Sequence, residues 1–395
     1  MLSLPLYLDY NATTPCDERV VEAMLPYFSR KPGNAASHNH AFGWEAKEAV
    51  EYAREQVAEL IGAEPHEIIF TSGATEGDNL SLKGVFEAYA AKGNHIITCV
   101  TEHKAVLDAC RHIEKKGGRV TYLEVNAEGL IAAGEIEAAI TPATVLIALM
   151  YANNETGVIQ PVREISSLAR RRGILFMSDA TQAVGKITVD VNKDGIDLLA
   201  FSAHKIYGPK GVGALFVRRK NPRVRLTAQM DGGGHEKGLR SGTLNVPGIV
   251  GMGKAAVICR SEMKEEGERL QRLRNKLEKG LMELSAVKVN GSRQSRLPHV
   301  TNLGFKQVDG NNLLSAITKQ IAASSGSACT SALPEPSYVL KAMGLDDAVA
   351  RASLRFSLGR FTTEEEIDYS IKFVSDTVNS LRKENIHQFT QKTKV

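Results

Sequence analysis

The feature that most constrains the fold is a repeated alternation of short apolar runs with helical patterns through the first half of the chain. Apolar runs occupy residues 68–70, 96–100, 120–125, 145–152, 174–177 and 198–201, and amphipathic stretches separate several of them. Runs this short with no polar alternation read as strands buried on both faces, which is the signature of a parallel sheet covered by helices on each side. Residues 45–61 read as one such helix, with Ala49, Val50, Ala53, Val57, Leu60 and Ile61 on one face. A further strand is expected at 213–217. Its link to the preceding strand is too short for a parallel crossover, so it is expected to run antiparallel.

A chain of 395 residues exceeds the size at which one core stops growing, so a second domain is expected. The pattern changes beyond Pro247, with a charged helical stretch at 261–284 and strand-like runs at 287–289 and 300–305. Helices are expected at 312–317 and 337–343, a loop of small residues at 322–332 and a strand at 353–358. A last helix starts at Glu364 with Thr363 as its N-cap and acids in the first turn. The tail 385–395 is polar and expected to be mobile.

Composition removes several classes of function. A formal charge of +4 spread over the chain forms no basic block, which argues against nucleic acid as a partner. The five cysteines, Cys16, Cys99, Cys110, Cys259 and Cys329, are scattered and lack CxxC spacing, so neither a disulfide framework nor a metal site of the protein's own is expected. The N-terminal segment lacks a basic region before its apolar run, and the longest apolar run is far short of the ~20 residues that span a bilayer. A cytoplasmic protein with no membrane contact is the expectation.

In open parallel sheets, ligands gather at the carboxyl ends of the strands, and five strand ends here carry reactive or polar groups. FSAHKIYGPKG, residues 201–211, sets Lys205 after a buried strand, where partial desolvation favours the neutral amine that forms a Schiff base with an aldehyde cofactor. Residues 67–77, EIIFTSGATEG, run from a strand into a small-residue loop that opens a helix. The N–H groups of Ala74 and Thr75 and the Thr75 hydroxyl suit a phosphate there. Asp179 and Gln182 follow the strand at 174–177: a carboxylate stabilises a protonated pyridine nitrogen, and an amide can donate to a phenolate oxygen. His103 and the NNETG turn holding Asn154 follow two further strands, the first suited to proton movement and the second to a cofactor oxygen and a substrate carboxylate. Each has a plain alternative as a solvated lysine, a helix cap, a polar turn or an ordinary histidine. One pyridoxal phosphate would use all five together. In the second half, Cys329 lies in SSGSACTS, a small-residue loop that predicts an exposed, reactive thiol. Arg355, in an alternating strand, suits a bidentate pair with a substrate carboxylate or a surface salt bridge.

With these residues in hand, the chain resembles the pyridoxal-phosphate-dependent cysteine desulfurases of the Isc/Nif type, in the class V aminotransferase group. YLDYNATTP, FTSGATE, TEHKAVLD, NNETGVIQ, DATQAVGK, FSAHKIYGPKG, GGGHEKGLRSGT, SSGSACTSA and SLRFSLGRFTTEEEID occur in that family's order. The resemblance implies an aspartate-aminotransferase-type α/β fold (fold type I), with a large cofactor domain over 15–255 and a small domain formed by 1–14 with 256–395. It implies Lys205 as the Schiff-base lysine, Asp179 at the pyridine nitrogen, Gln182 and Asn154 at the ring oxygen and His103 stacked on the ring. Ala74, Thr75, Ser202 and His204 are implied at the phosphate, with Thr243 reaching in from the second subunit of a homodimer, and Cys329 as the persulfide carrier. The implied reaction turns L-cysteine into L-alanine and hands the sulfur to an iron–sulfur scaffold protein or other acceptors, Cys329 touching a scaffold-bound 2Fe–2S cluster only in passing. A selenocysteine lyase and an aminotransferase are the alternative enzymes, although an aminotransferase would not need Cys329. A catalytically idle docking platform is the alternative of another class. Ala35 stands where the family usually has proline, Gly77 stands where it has a bulkier residue, and the tail beyond Lys383 departs from the family's usual ending.

Overall fold

The computed structural model describes residues 2–325 and 335–392, with side chains through residue 384. Strand β1 (Leu6–Tyr7) precedes a seven-stranded sheet built from β2 (Ile68–Thr71), β3 (His95–Cys99), β4 (Arg119–Leu123), β5 (Thr144–Ala148), β6 (Leu175–Asp179), β7 (Leu198–Ser202) and β8 (Gly213–Val217). Their order across the sheet is β2-β8-β7-β6-β5-β3-β4. Strands β4, β3, β5, β6 and β7 are parallel neighbours, whereas β8 runs antiparallel to both β7 and β2, as its short link to β7 requires. Strands β2, β3, β5, β6, β7 and β8 are buried at every position, which is why they read as uninterrupted apolar runs.

Separate apolar cores cover the two faces of this sheet. One includes Val50, Val57, Phe70, Ile165, Phe176, Phe201 and Met252, and the other includes Leu82, Val106, Ile113, Leu146, Met177 and Leu215. A third core lies under a small antiparallel sheet in the order β12-β10-β9, where β9 is Val287–Val289, β10 is Val300–Phe305 and β12 is Ser353–Ser357. The chain's first strand belongs with this second half, because β1 pairs in parallel with β11 (Ile321–Ala322).

A helix over Val246–Leu281 departs from the sequence expectation by starting fifteen residues before 261, and it runs straight across residues 255 and 256. Its first half escapes a periodicity argument because it carries glycines and is buried nearly all round. Those glycines permit close approach: a Cβ on Gly253 would lie 2.7 Å from the Ala53 Cα of the helix Ala41–Ile61. Asn245 caps the helix by accepting from the Gly248 N–H at 3.1 Å. The last helix, Glu364–Lys392, continues into the polar tail as far as residue 392.

Beneath the edge of the large sheet, Arg54 and Glu236 form a buried bidentate pair with both N···O distances at 2.8 Å. Glu236 also accepts the Phe70 N–H at 2.7 Å, so it fastens the glycine-rich segment that leads to Thr243 onto β2. Replacing Arg54 with methionine leaves a buried, unpaired carboxylate and is expected to lower unfolding free energy by about 3–5 kcal/mol. Chemical denaturation of the two proteins checks this, and an unchanged midpoint would contradict it.

Candidate active site

Strand order decides where the polar groups collect. The parallel strands β5, β6 and β7 end side by side, and the loops that follow them deliver Asn154, Asp179, Gln182, Ser202, His204 and Lys205 to one cavity of about 370 Å³. Ala74 and Thr75 join from the start of the helix Ala74–Ala88, and His103 joins from the loop after β3. Arg355 enters from β12 of the small sheet, so the cavity is closed by both halves of the chain.

Lys205 sits in a short 3₁₀ turn, Ala203–Lys205, directly after β7. Its Nζ donates to the main-chain oxygens of Asn11 at 2.5 Å and Ala12 at 2.8 Å. Burial, followed by the nearby Arg355 charge, pushes its ammonium down to about 8, against the opposing pull of Asp179 and Asp9. A useful fraction of the amine is therefore neutral near physiological pH. Neighbouring His204 is pushed down to about 4, mainly by burial and then by Lys205 and Lys210, so it is neutral there. Its Nδ1 lies 3.1 Å from the Thr13 hydroxyl.

The corner where the helix Ala74–Ala88 begins rests on Ser202. Its Oγ accepts the Ala74 N–H at 2.7 Å, which leaves the hydroxyl proton free to donate to an anion at the helix N-terminus. Gly77 belongs to this packing, since a Cβ there would come within 3.0 Å of the Ala200 Cβ on β7. A larger side chain would push the helix, and its N-terminal N–H groups, away from Ser202. Ala35, the other departure from the family's usual sequence, is buried in the core beside the helix Ala41–Ile61.

Asp179 ends β6 and accepts the Thr181 N–H at 2.9 Å. The Asn154 main-chain oxygen accepts from Asn11 Nδ2 at 3.0 Å and from Arg355 Nη1 at 2.8 Å, while its side-chain oxygen is buried with no partner among the described residues. Gln182 Nε2 donates to the Asn11 oxygen at 3.1 Å. The His103 ring is held at the rim by the Ala105 N–H, donated to Nδ1 at 3.2 Å, because His103 caps the helix Lys104–Lys115. Arg355 pairs with Asp9 at 2.6 Å, a salt bridge inside the cavity and not the surface one that was its plain alternative. Further N–H bonds of its guanidinium are left for a second anion.

Two expected site residues stand apart from this group. Thr243 is exposed and does not line the cavity, and Cys329 lies outside the described residues. Other residues at the cavity carried no assigned role. Asn11, Asp9 and Ala12 come from the N-terminal turn, whose motif YLDYNATTP was visible but whose proximity to Lys205 is a matter of tertiary structure. Asp78, one turn into the helix Ala74–Ala88, is fully buried, and both its carboxyl oxygens lack a partner among the described residues. Burial and then the Asp179 and Glu102 charges push its carboxyl well above the usual range. A buried acid in a helix gives no sequence signal beyond its neighbours.

The family described as aminotransferase class-V matches residues 6–369. The chain belongs to the class-V aminotransferase family. Among its relatives, this class-V protein is 57% identical over 382 residues to the cysteine desulfurase IscS of Anaeromyxobacter dehalogenans (strain 2CP-C), covering 96% of this chain and 94% of the relative. A solved NifS-like protein matches its fold with a TM-score of 0.89 and 38% identity, over 96% of this chain and all of the other. A structure described as SspA in complex with cysteine matches with a TM-score of 0.79 and 36% identity, over 91% of this class-V chain and all of the other.

Proposed function

We propose that this protein is a cysteine desulfurase that takes sulfur from L-cysteine, leaves L-alanine, and passes the sulfur through Cys329 to acceptors for iron–sulfur clusters and other sulfur compounds. The observation that carries this reading is a half-buried Lys205 sharing one cavity with Asp179, in a chain more than half identical to a cysteine desulfurase over nearly its full length.

The cavity fits pyridoxal 5'-phosphate. Asn154 Oδ1, Thr181 Oγ1, Arg355 Nε and both Asp78 oxygens are buried there without partners among the described residues, the condition of a polar site shaped for a ligand. Ala74, Thr75, Ser202 and His204 would hold the phosphate, Asp179 the pyridine nitrogen, and Gln182 and Asn154 the ring oxygen, with His103 against the ring. When bound, this cofactor supplies an aldehyde that captures amines and a protonated ring that withdraws electron density from the bonds being broken.

The residues of the chain supply the rest. Lys205 gives a neutral amine at the carboxyl end of β7 and then carries protons between substrate carbons. Its lowered basicity keeps both protonation states populated. Neutral His204 contributes a hydrogen bond and not a charge. Arg355 binds the substrate carboxylate alongside Asp9. The Cys329 thiol takes the sulfur: the substrate Cβ–S bond breaks, an S–S bond forms at Cys329 and Cβ gains a proton, so that one cysteine and one thiol become one alanine and one persulfide. The four other cysteines are poorly suited to this step. Burial pushes the Cys99 and Cys110 thiols up to about 12 and that of Cys259 to about 11, and Cys16 is raised also.

The division into a large domain over 15–255 and a small domain formed by 1–14 with 256–395 is supported by the pairing of β1 with β11 and by the separate third core. Exposed Thr243, at the end of a glycine-rich segment, fits a homodimer in which each copy completes the other's phosphate site. A cytoplasmic setting completes the reading, and among the described residues no helix is long and apolar enough to cross a membrane.

The test is direct: purified protein loaded with cofactor is given L-cysteine and a thiol reductant, and alanine and sulfide are counted. Equal amounts are expected, and cysteine consumed only when a 2-oxo acid acceptor is added, with its sulfur retained in the resulting keto product and no sulfide released, would point to an aminotransferase. Arg355→Lys is expected to raise KM for cysteine about 10–100-fold, through loss of a charge-assisted bidentate contact, with a smaller effect on kcat. Steady-state kinetics check this, and an unchanged KM would remove Arg355 from the substrate site.

A further inference from the structure

Lys205 is not held by the strand that carries it alone. Its Nζ donates to two consecutive carbonyls, those of Asn11 and Ala12, in a tight turn closed by the Ala12 N–H to the Asp9 oxygen at 3.0 Å. Every polar atom of Asn11 is engaged. Its main-chain N–H donates to Ser357 Oγ at 2.9 Å, its side-chain Nδ2 to the Asn154 oxygen at 3.0 Å, and its Oδ1 faces His299 Nε2 at 2.9 Å, while its carbonyl takes Gln182 Nε2 as well as Lys205. Asn11 is 2% exposed and His299 1%.

The direction of each bond in this hub is forced. The Asn154 main-chain oxygen can only accept, so the Asn11 amide must turn its NH₂ toward it and its oxygen toward His299. His299 must then carry its proton on Nε2, which in the neutral ring leaves Nδ1 bare, and Nδ1 has no partner among the described residues. Burial, followed by Lys186, Arg274 and Arg355, holds His299 neutral well below its ordinary range, which suits this tautomer. Asn11 therefore ties β12 and the segment before β10 to the loops after β5 and β6, at the point where the lysine amine rests.

We propose that Asn11 is the positioning residue of Lys205: its side chain locks the turn whose two carbonyl oxygens hold the lysine amine, and so aims the amine's remaining valence into the cavity. A neutral amine has two N–H bonds, and the two carbonyls take both. The lone pair is left pointing away from the turn, where it can attack or accept a proton. In the ammonium form the same direction carries the third N–H, the proton that the lysine delivers. This rests on Lys205 being the reacting lysine, and it adds why the amine is aimed when it is released.

The test uses full-length protein, with cofactor and after its removal. Lys205 in the cofactor-free protein is acetylated with acetic anhydride over a pH series and the modified peptide is counted by mass spectrometry. Wild type is expected to titrate near 8. The charges facing Lys205, namely Arg355, Lys186, Asp179 and Asp9, are all kept in the variants. Asn11→Ala is expected to lower the midpoint by about one unit, because a loosened acceptor pair stabilises the ammonium less. His299→Ala is expected to do the same through Asn11, and His299→Gln, which keeps a donor for Asn11 Oδ1, to restore the wild-type value. In the loaded enzyme, Asn11→Ala is expected to lower kcat by about tenfold or more with KM for cysteine little changed. A folded Asn11→Ala protein with the wild-type titration would overturn the proposal. If that variant does not fold, identical titrations of His299→Ala and His299→Gln would overturn it. These outcomes are separable from the functional reading, which stands or falls on whether Lys205 carries the cofactor.

Discussion

Lys205→Ala is expected to abolish the visible absorption of the lysine-bound cofactor and to lower cysteine turnover by ~10³-fold or more. The expectation follows from position. The corner between Ser202 and the helix Ala74–Ala88, where the proposal puts the phosphate, is untouched by the change, as is Asp179, so the variant should still bind the cofactor, though without a covalent link. Truncation to a methyl group leaves the Ala12 carbonyl without the lysine donor and the Asn11 carbonyl with that of Gln182 alone. In wild type, the covalent link should form faster as pH rises through about 8, because the neutral amine is the attacking form and the folded protein holds its basicity below that of free lysine. Rapid-mixing absorbance on cofactor-free protein reads this directly. A visible band surviving in Lys205→Ala, or a loading rate flat across that range, would remove Lys205 from its role.

Cys329→Ser is expected to separate sulfur transfer from cofactor chemistry. The cavity residues are unaltered, so the variant should keep the visible band of wild type and still show a spectral change when L-cysteine is added. It should form alanine and sulfide at less than about a hundredth of the wild-type rate, since a hydroxyl is a far weaker nucleophile than a thiolate and cannot hold a persulfide. The remaining cysteines offer no substitute. Cys99, Cys110 and Cys259 are buried in apolar cores, and their thiols are pushed up to about 11 or 12, so almost none is thiolate at neutral pH. Wild-type rates in Cys329→Ser would contradict the assignment.

Much of this site is legible in the sequence because a parallel sheet turns one-dimensional order into geometry. Strands buried on both faces read as apolar runs, and the residues just after them must emerge at one edge, which is how Lys205, Asp179, Gln182, Asn154 and Ala74 come together. What the pattern hides is contact made by distant segments. Asn11 reaches Lys205 across 194 positions through main-chain atoms, which leave no side-chain signature. Asp9 reaches Arg355 across 346 positions, and from the sequence that arginine's partner stayed open. Asp78 is one acid among many in a helix until the fold closes over it. The start of the helix Val246–Leu281 is masked by glycines whose purpose, close packing on the helix Ala41–Ile61, exists only in three dimensions. Gly77 shows the converse, since its small size has a local reason at Ala200 that the sequence records only as a departure.

The central claim, that Lys205 and its cavity deliver the sulfur of L-cysteine to Cys329, is tested most directly by mass spectrometry of the loaded protein after brief exposure to L-cysteine, digested without reductant. The peptide containing Cys329 is expected to gain one sulfur atom, matched by one alanine released per chain in the first turnover, and Lys205→Ala is expected to show neither. Sulfur found on Cys16, Cys99, Cys110 or Cys259 in place of Cys329, or alanine formed with no sulfur on the protein, would contradict it.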